Sequence, residues 1–208
     1  MLAQQLRRLR RCRAADEIVV ATTVNGTDDP VVAIAKDEGV RWFRGDEHDV
    51  LGRYAAAAAE CGADLIARIT ADCPLIEPSI VDAIIARAAG SPACDYASNV
   101  IRRTYPKGLD AEALHADVLA RTARLAASQP SREHVTLFIY GERPDLFVLA
   151  SVEDVASNAD LRWTVDTPDD LAYVRRMYRD LGLADRDVPY AGMLNYARAA
   201  ARAPGEHA

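Results

Sequence analysis

The sequence predicts an α/β fold: a mostly parallel sheet with helices on both faces. Apolar strand patterns and helical patterns alternate three times as far as Ser98. The loops between them leave room only for crossover connections, which make neighbouring strands parallel. Half of the 208 residues are hydrophobic, enough for a single buried core at this length. Residues 1–202 are therefore expected as one domain, and 203–208, Ala-Pro-Gly-Glu-His-Ala, as a polar tail.

Each element has a local cause. A helix over about residues 2–14 alternates Leu2, Leu6 and Leu9 with Arg7, Arg8, Arg10, Arg11 and Arg13. This is the pattern of a solvated basic face or, alternatively, of a surface that meets an anion or a partner. The β-branched run from Glu17 to Thr23 reads as a strand buried on both sides. Asp29-Pro30 and Gly39 bracket the next helix, since proline suits the first helical turn and glycine the left-handed stop. Val40–Arg44 is the second strand, Asp49 caps an alanine-rich helix that Gly62 ends, and Asp64–Thr70 is the third strand. A helix from Pro78 to Gly90 and a short strand at Asp95–Ser98 complete the alternation. It breaks at 100–114. Helices are expected at 116–127 and 131–140, strands at 147–152 and 161–165, a helix capped by Thr167-Pro168-Asp169-Asp170 to about Leu181, and a last helix over 189–202.

Composition excludes several functions. With 31 acidic and 25 basic side chains and a net charge of −6, the surface is not one that neutralises nucleic-acid phosphates. Cys12, Cys61, Cys73 and Cys94 are far apart with no C-x-x-C pair, which argues against a zinc site and a disulfide framework. No apolar run reaches the length of a membrane span and no signal-peptide core opens the chain. A reducing cytoplasm is the expected location.

Ligands of an open α/β sheet gather beyond the carboxyl ends of its strands, and Asp72 and Asp166 fall at two such ends, in "TADCP" and "TVDTP". Two carboxylates aimed at one point would suit Mg²⁺, which takes one or two protein carboxylates and completes its shell with water and substrate phosphate. The alternative is that each merely caps the turn behind its strand.

The runs "DEIVVATT", "FRGDEHDVLGRY", "ADLIARITADCPLI", "RTYPKGLDAE", "REHVTLFIY" and "LRWTVDTPDDL" together resemble the spore-coat polysaccharide biosynthesis cytidylyltransferase-like family, related to the acylneuraminate and KDO cytidylyltransferases. The resemblance spans roughly residues 5–181. It implies a Rossmann-like nucleotide-diphosphosugar-transferase fold and Mg²⁺-dependent transfer of a nucleotidyl group from CTP to a sugar hydroxyl, with pyrophosphate released. By the same resemblance Asp72 and Asp166 are the catalytic metal ligands. Arg44, Asp46, Arg53 and Arg68 are nucleotide- or substrate-binding candidates, and Lys107, Asp110 and Glu112 belong to the acceptor-sugar region. The implied partners are CTP, an acidic or amino sugar, and a second copy of the chain, contacted through 100–114. Glu133 and His134 invite acid–base chemistry, although packing on a helix face explains them equally well.

The sequence departs from that family at its start. The family's first strand and its glycine-containing basic loop, which wraps the nucleotide triphosphate, have no counterpart before Met1-Leu2-Ala3. The chain is therefore expected to be N-terminally truncated, to have a gap in its sheet, and to bind CTP poorly. A misplaced start, a fragment and a non-catalytic sugar- or nucleotide-binding homologue all fit that departure. A glycosyltransferase of similar fold is a further alternative, for which Asp110-Ala111-Glu112 only approximates the usual D-x-D pair.

Overall fold

A computed structural model describes residues 1–202; the tail at 203–208 lies outside the described residues. Eight helices and six strands are described: α1 (Leu2–Leu9), β1 (Val19–Thr23), α2 (Asp29–Asp37), β2 (Arg41–Gly45), α3 (Val50–Cys61), β3 (Leu65–Arg68), α4 (Pro78–Ala89), β4 (Tyr96–Ser98), β5 (Glu112–His115), α5 (Ala116–Leu125), α6 (Gln129–Glu133), β6 (Leu149–Ser151), α7 (Pro168–Leu181) and α8 (Tyr190–Arg202).

The α/β layering follows the expectation, but the strand directions are mixed. β1 and β2 form a parallel pair, and a separate four-stranded sheet runs in the order β3-β5-β4-β6. Within it β4 and β6 are parallel, whereas β5 is antiparallel to both β3 and β4. The cause lies in residues 99–111, which double back without a helix. A return of that kind reverses direction, and only a crossover preserves it.

Helices cover both faces of the larger sheet. Ala97 and Ala113 enter a core cluster with Leu75, Ile76, Ile84, Trp163 and Met177. Their neighbours Tyr96 and Leu114 enter a second cluster with Leu51, Leu119, Ile139 and Phe147, as the two-residue period of a strand requires. No helix among the described residues is long and apolar enough to cross a membrane.

Three further expectations are corrected. The first helix stops at Leu9, and Arg8 is not on a solvated face: it is 2% exposed and bonds the Ile76 carbonyl at 2.6 Å and Glu77 at 2.9 Å. The helix expected at 131–140 is broken after α6 by Val135, whose φ is +54°, and a π-helical turn follows at Phe138–Glu142. A β-branched residue in the left-handed region is strained. Its neighbour Thr136 gains a buried partner in exchange, Glu112. The segment 161–165 is not a strand and has only a parallel bridge between Arg162 and Lys107. Gly108, at φ +107°, turns the opposing chain away after one residue.

Candidate active site

The exits of β3 and of the 161–165 segment meet. Thr70 to Glu77 leaves β3, and its position is fixed from α1: Gln5 Nε2 donates to the carbonyls of Thr70 (2.7 Å) and Cys73 (3.1 Å). The amide of Val165 donates to the carbonyl of Asp72 at 2.9 Å, so the residue preceding Asp166 is bonded to Asp72 itself. The half-buried Asp72 has no ion-pair partner among the described residues, its carboxylate meeting only the Cys73 thiol, Sγ to Oδ1 3.7 Å. Asp166 is paired with Arg162, which also reaches Asp170 at 3.4 Å. Asp170 closes the expected capping box of α7 with Thr167. Cys73 is no nucleophile, because burial and then Asp72 push its thiol up to about 12.

Two hard carboxylate oxygen donors on adjoining exits fit Mg²⁺, and Asp72 is not committed to another cation. Among the described residues no group of three or more His, Cys, Asp or Glu could hold a metal by itself. The pair would therefore depend on water and phosphate oxygens to complete a shell, which is how Mg²⁺ is usually held.

Beside this junction lies a cavity of about 420 Å³ lined by Arg68, Thr70, Arg103, Asp110 and Glu112, with Val100, Ile101, Tyr140 and Leu149. Three of the sequence candidates are thus brought together here. Arg68 Nη1 donates to Glu112 Oε2 at 2.6 Å across the β3–β5 pairing. Burial opposes the charge of Arg68, yet Glu112 outweighs it and the guanidinium pKa rises. The second oxygen of Glu112 accepts from Tyr96 Oη (2.6 Å) and Thr136 Oγ1 (2.8 Å). Burial, then Glu112, raises the pKa of Tyr96 and keeps it a donor. Asp110 is gripped by Arg103 through two bonds, 2.6 and 2.9 Å. The sequence pair Asp110-Ala111-Glu112 therefore offers a metal no uncommitted carboxylate.

The other candidates lie elsewhere. Arg44 is spent on the carbonyls of Thr23 (2.7 Å) and Asn25 (2.6 Å) and on Asp29 (2.8 Å), tying β1 to α2. Asp46 accepts the amides of His48 and Asp49, and Arg53 bonds the Asp46 carbonyl at 2.6 Å. None of these three lines the cavity. Asp49 caps α3 as expected, through Gly52 N at 2.8 Å. Lys107, Glu133, His134 and His48 are exposed.

Several residues escaped the sequence reading. Asn99, 1% exposed, bonds the Leu109 carbonyl (2.7 Å) and the Ala111 amide (3.0 Å), bracketing Asp110 so that its carboxylate faces the cavity. Arg103 neutralises Asp110 seven residues away, while Tyr96 and Thr136 satisfy Glu112, 16 and 24 residues away. Only Arg103 had a sequence signal, as the cation opening the same "RTYPKGLD" run.

This geometry has relatives. Residues 1–184 match the family model described as Cytidylyltransferase. An uncharacterised protein of Methanocaldococcus jannaschii is 33% identical over 187 residues, covering 88% of this chain and 74% of that one. The spore coat polysaccharide biosynthesis protein SpsF of Bacillus subtilis is 30% identical over 174 residues, 80% of this chain and 69% of its own. A solved cytidylyltransferase of Leptospira borgpetersenii superposes with a TM-score of 0.89 at 26% identity, over 96% of this chain and 83% of that one. The fold is thus that of the nucleotide-diphospho-sugar transferases, and, with most of its length matched, the chain belongs to the cytidylyltransferase family.

Proposed function

We propose that the protein transfers the cytidylyl group of CTP to a sugar hydroxyl, forming a CMP-sugar and releasing pyrophosphate. Asp72 and Asp166 would hold Mg²⁺, and the product would serve surface polysaccharide synthesis in the cytoplasm. The observation that carries this reading is the hydrogen bond from the Val165 amide to the Asp72 carbonyl, 2.9 Å, because it draws two carboxylate-bearing exits to one spot. The family match and the polysaccharide role in the name of the B. subtilis relative support the substrate classes.

Magnesium, when bound, supplies the positive charge that offsets what builds on the phosphate oxygens as pyrophosphate departs. The chain's own part is orientation. Gln5 fixes the turn that carries Asp72, the Thr167–Asp170 cap fixes the one that carries Asp166, and the cavity walled by Arg68 and Asp110 holds the acceptor next to them. Self-association through 100–114 belongs to the same proposal; Ile101, 39% exposed, supplies an apolar contact there.

Pyrophosphate release from CTP and a sugar tests the reading. Asp72→Asn and Asp166→Asn are each expected to slow it by ~10²-fold or more, the scale of losing one charge-stabilising group in a transition state. Near wild-type turnover by either variant removes the assignment.

A further inference from the structure

Asp72 and Asp166 are carried to one spot, but their side chains are restrained differently. Asp72 is half-buried on a turn that Gln5 fixes through two backbone carbonyls. The side chain of Asp166 is 51% exposed, and a carboxylate on so open a turn exchanges between rotamers unless something holds it. A metal site needs its donors held within about 0.5 Å of their working positions.

Arg162 supplies that restraint. Its backbone is pinned first: the Lys107 amide donates to the Leu161 carbonyl at 3.0 Å, the Trp163 amide donates to the Lys107 carbonyl at 2.6 Å, and Trp163 is 1% exposed. From this base Nη2 of Arg162 donates to Oδ2 of Asp166 and reaches Oδ2 of Asp170 at 3.4 Å. Asp170 is itself fixed. The same oxygen accepts the amides of Asp166 (3.0 Å) and Thr167 (2.9 Å) within the cap of α7. One guanidinium arm therefore ties the Asp166 side chain to the cap that already holds the Asp166 backbone.

A cation in this position either competes with a metal or supports its ligand. A competitor takes both carboxylate oxygens, as Arg103 does with Asp110. Arg162 bonds only Oδ2 of Asp166, and Oδ1 has no protein partner among the described residues. A ligating carboxylate ordinarily gives one oxygen to the metal and accepts an outer hydrogen bond that orients it. The charges agree with this division. Arg162 offsets Asp170, and the two negative charges left, on Asp72 and Asp166, match one divalent cation.

We propose that Arg162 is a positioning residue for the metal: it holds Asp166 by Oδ2 and so keeps Oδ1 presented to a divalent cation. The role rests on the reading of Asp72 and Asp166 as a metal pair and adds to it a residue that touches neither the metal nor the substrate.

The test is titration with manganese(II) chloride alone, without CTP, the free ion being counted by electron paramagnetic resonance; manganese takes the same oxygen donors as magnesium. Arg162→Met, which removes the donor, is expected to bind manganese about tenfold more weakly, the scale of losing an outer partner of a metal ligand. Arg162→Lys, which keeps a cationic donor, should recover most of that loss. The melting temperature should move little, because both ion pairs of Arg162 are solvent-exposed. In an Asp166→Asn background Arg162→Met should weaken binding no further, since the carboxylate it positions is gone. Unchanged binding by Arg162→Met overturns the proposal, and tighter binding overturns it by making Arg162 a competitor. An equal loss in the Asp166→Asn background does so too. The metal pair is scored separately by Asp72→Asn. Wild-type affinity in that variant, or no saturable binding by the wild-type chain at millimolar manganese, withdraws the pair and this role with it. A loss in Asp72→Asn beside none in Arg162→Met overturns this role alone.

Discussion

The two sheets of this protein are held together by different forces. In the β1–β2 pair only Thr22 of Val19–Thr23 is buried, and Arg41 and Trp42 opposite are exposed. What fixes the pair is polar: Asp28 accepts the hydroxyls of Thr22 and Thr23 at 2.7 Å each and the Thr23 amide at 3.0 Å, while Arg44 clamps Thr23, Asn25 and Asp29. In the four-stranded sheet all of β4 is buried, helices pack on both faces, and a buried ion pair with two further donors crosses from β3 to β5. Among the described residues β1 and β3 each pair along one edge only. The contrast teaches where precision is stored. Groups surrounded by a packed core cannot relax, whereas exposed hydrogen bonds exchange with water at little cost. The cavity therefore belongs to the larger sheet.

Three substitutions sharpen or break this comparison. The largest effect is expected from Glu112→Ala, which strands Arg68 in the core. Removing one partner of a buried pair costs about 3–5 kcal/mol, a fall in Tm of roughly 10 °C in a chain this size. A fall of under about 2 °C would mean that the two sheets are held alike. Gly108→Ala comes next. A Cβ there would lie 2.5 Å from the Trp163 carbonyl carbon and 2.6 Å from the Thr164 amide nitrogen, forcing apart the two segments that lead to Asp110 and Asp166. The expected loss is about 1–3 kcal/mol in denaturant unfolding, and an unchanged midpoint would show that this approach can open freely.

The smallest effect belongs to the β1–β2 pair. The hydroxyls of Thr22 and Thr23, and then the Thr23 amide, hold the Asp28 carboxyl below its ordinary 3.8. A lowered folded-state pKa contributes stability that is present above the unfolded value and is lost as pH falls through the folded one. Asp28→Asn should thus lower Tm by only a few degrees at pH 7, and the gap from wild type should close below about pH 4. A gap that persists unchanged at pH 2 would remove the carboxylate as its cause.

Local signals were legible wherever the chain's neighbours decide the outcome. Asp49 before α3, Gly62 after it, and the Thr167–Asp170 box before α7 all sit where the sequence predicts them, because capping satisfies amides only two or three residues away. The aspartates of "TADCP" and "TVDTP" were legible as the ends of two apolar segments, of which only the first is a strand, β3. The roles inside the cavity were not. Glu112 reads as a substrate ligand in "GLDAE", yet Arg68, Tyr96 and Thr136, 44, 16 and 24 residues away in the chain, consume its carboxylate. The helical pattern of 131–140 likewise gives way at Val135, beside Thr136, whose long-range bond to Glu112 outweighs local propensity.

The sequence by itself determined the alternation of elements as far as β4 and the caps of α3 and α7, since periodicity and capping depend on neighbours along the chain. Only the tertiary structure decided which charges meet. β5 runs backwards between β3 and β4, Arg8 of α1 is buried against Ile76 and Glu77, and each arginine of the cavity wall is matched to a carboxylate. Those outcomes depend on distances in space, and burial makes an unpaired charge so costly that the fold must settle every partner at once.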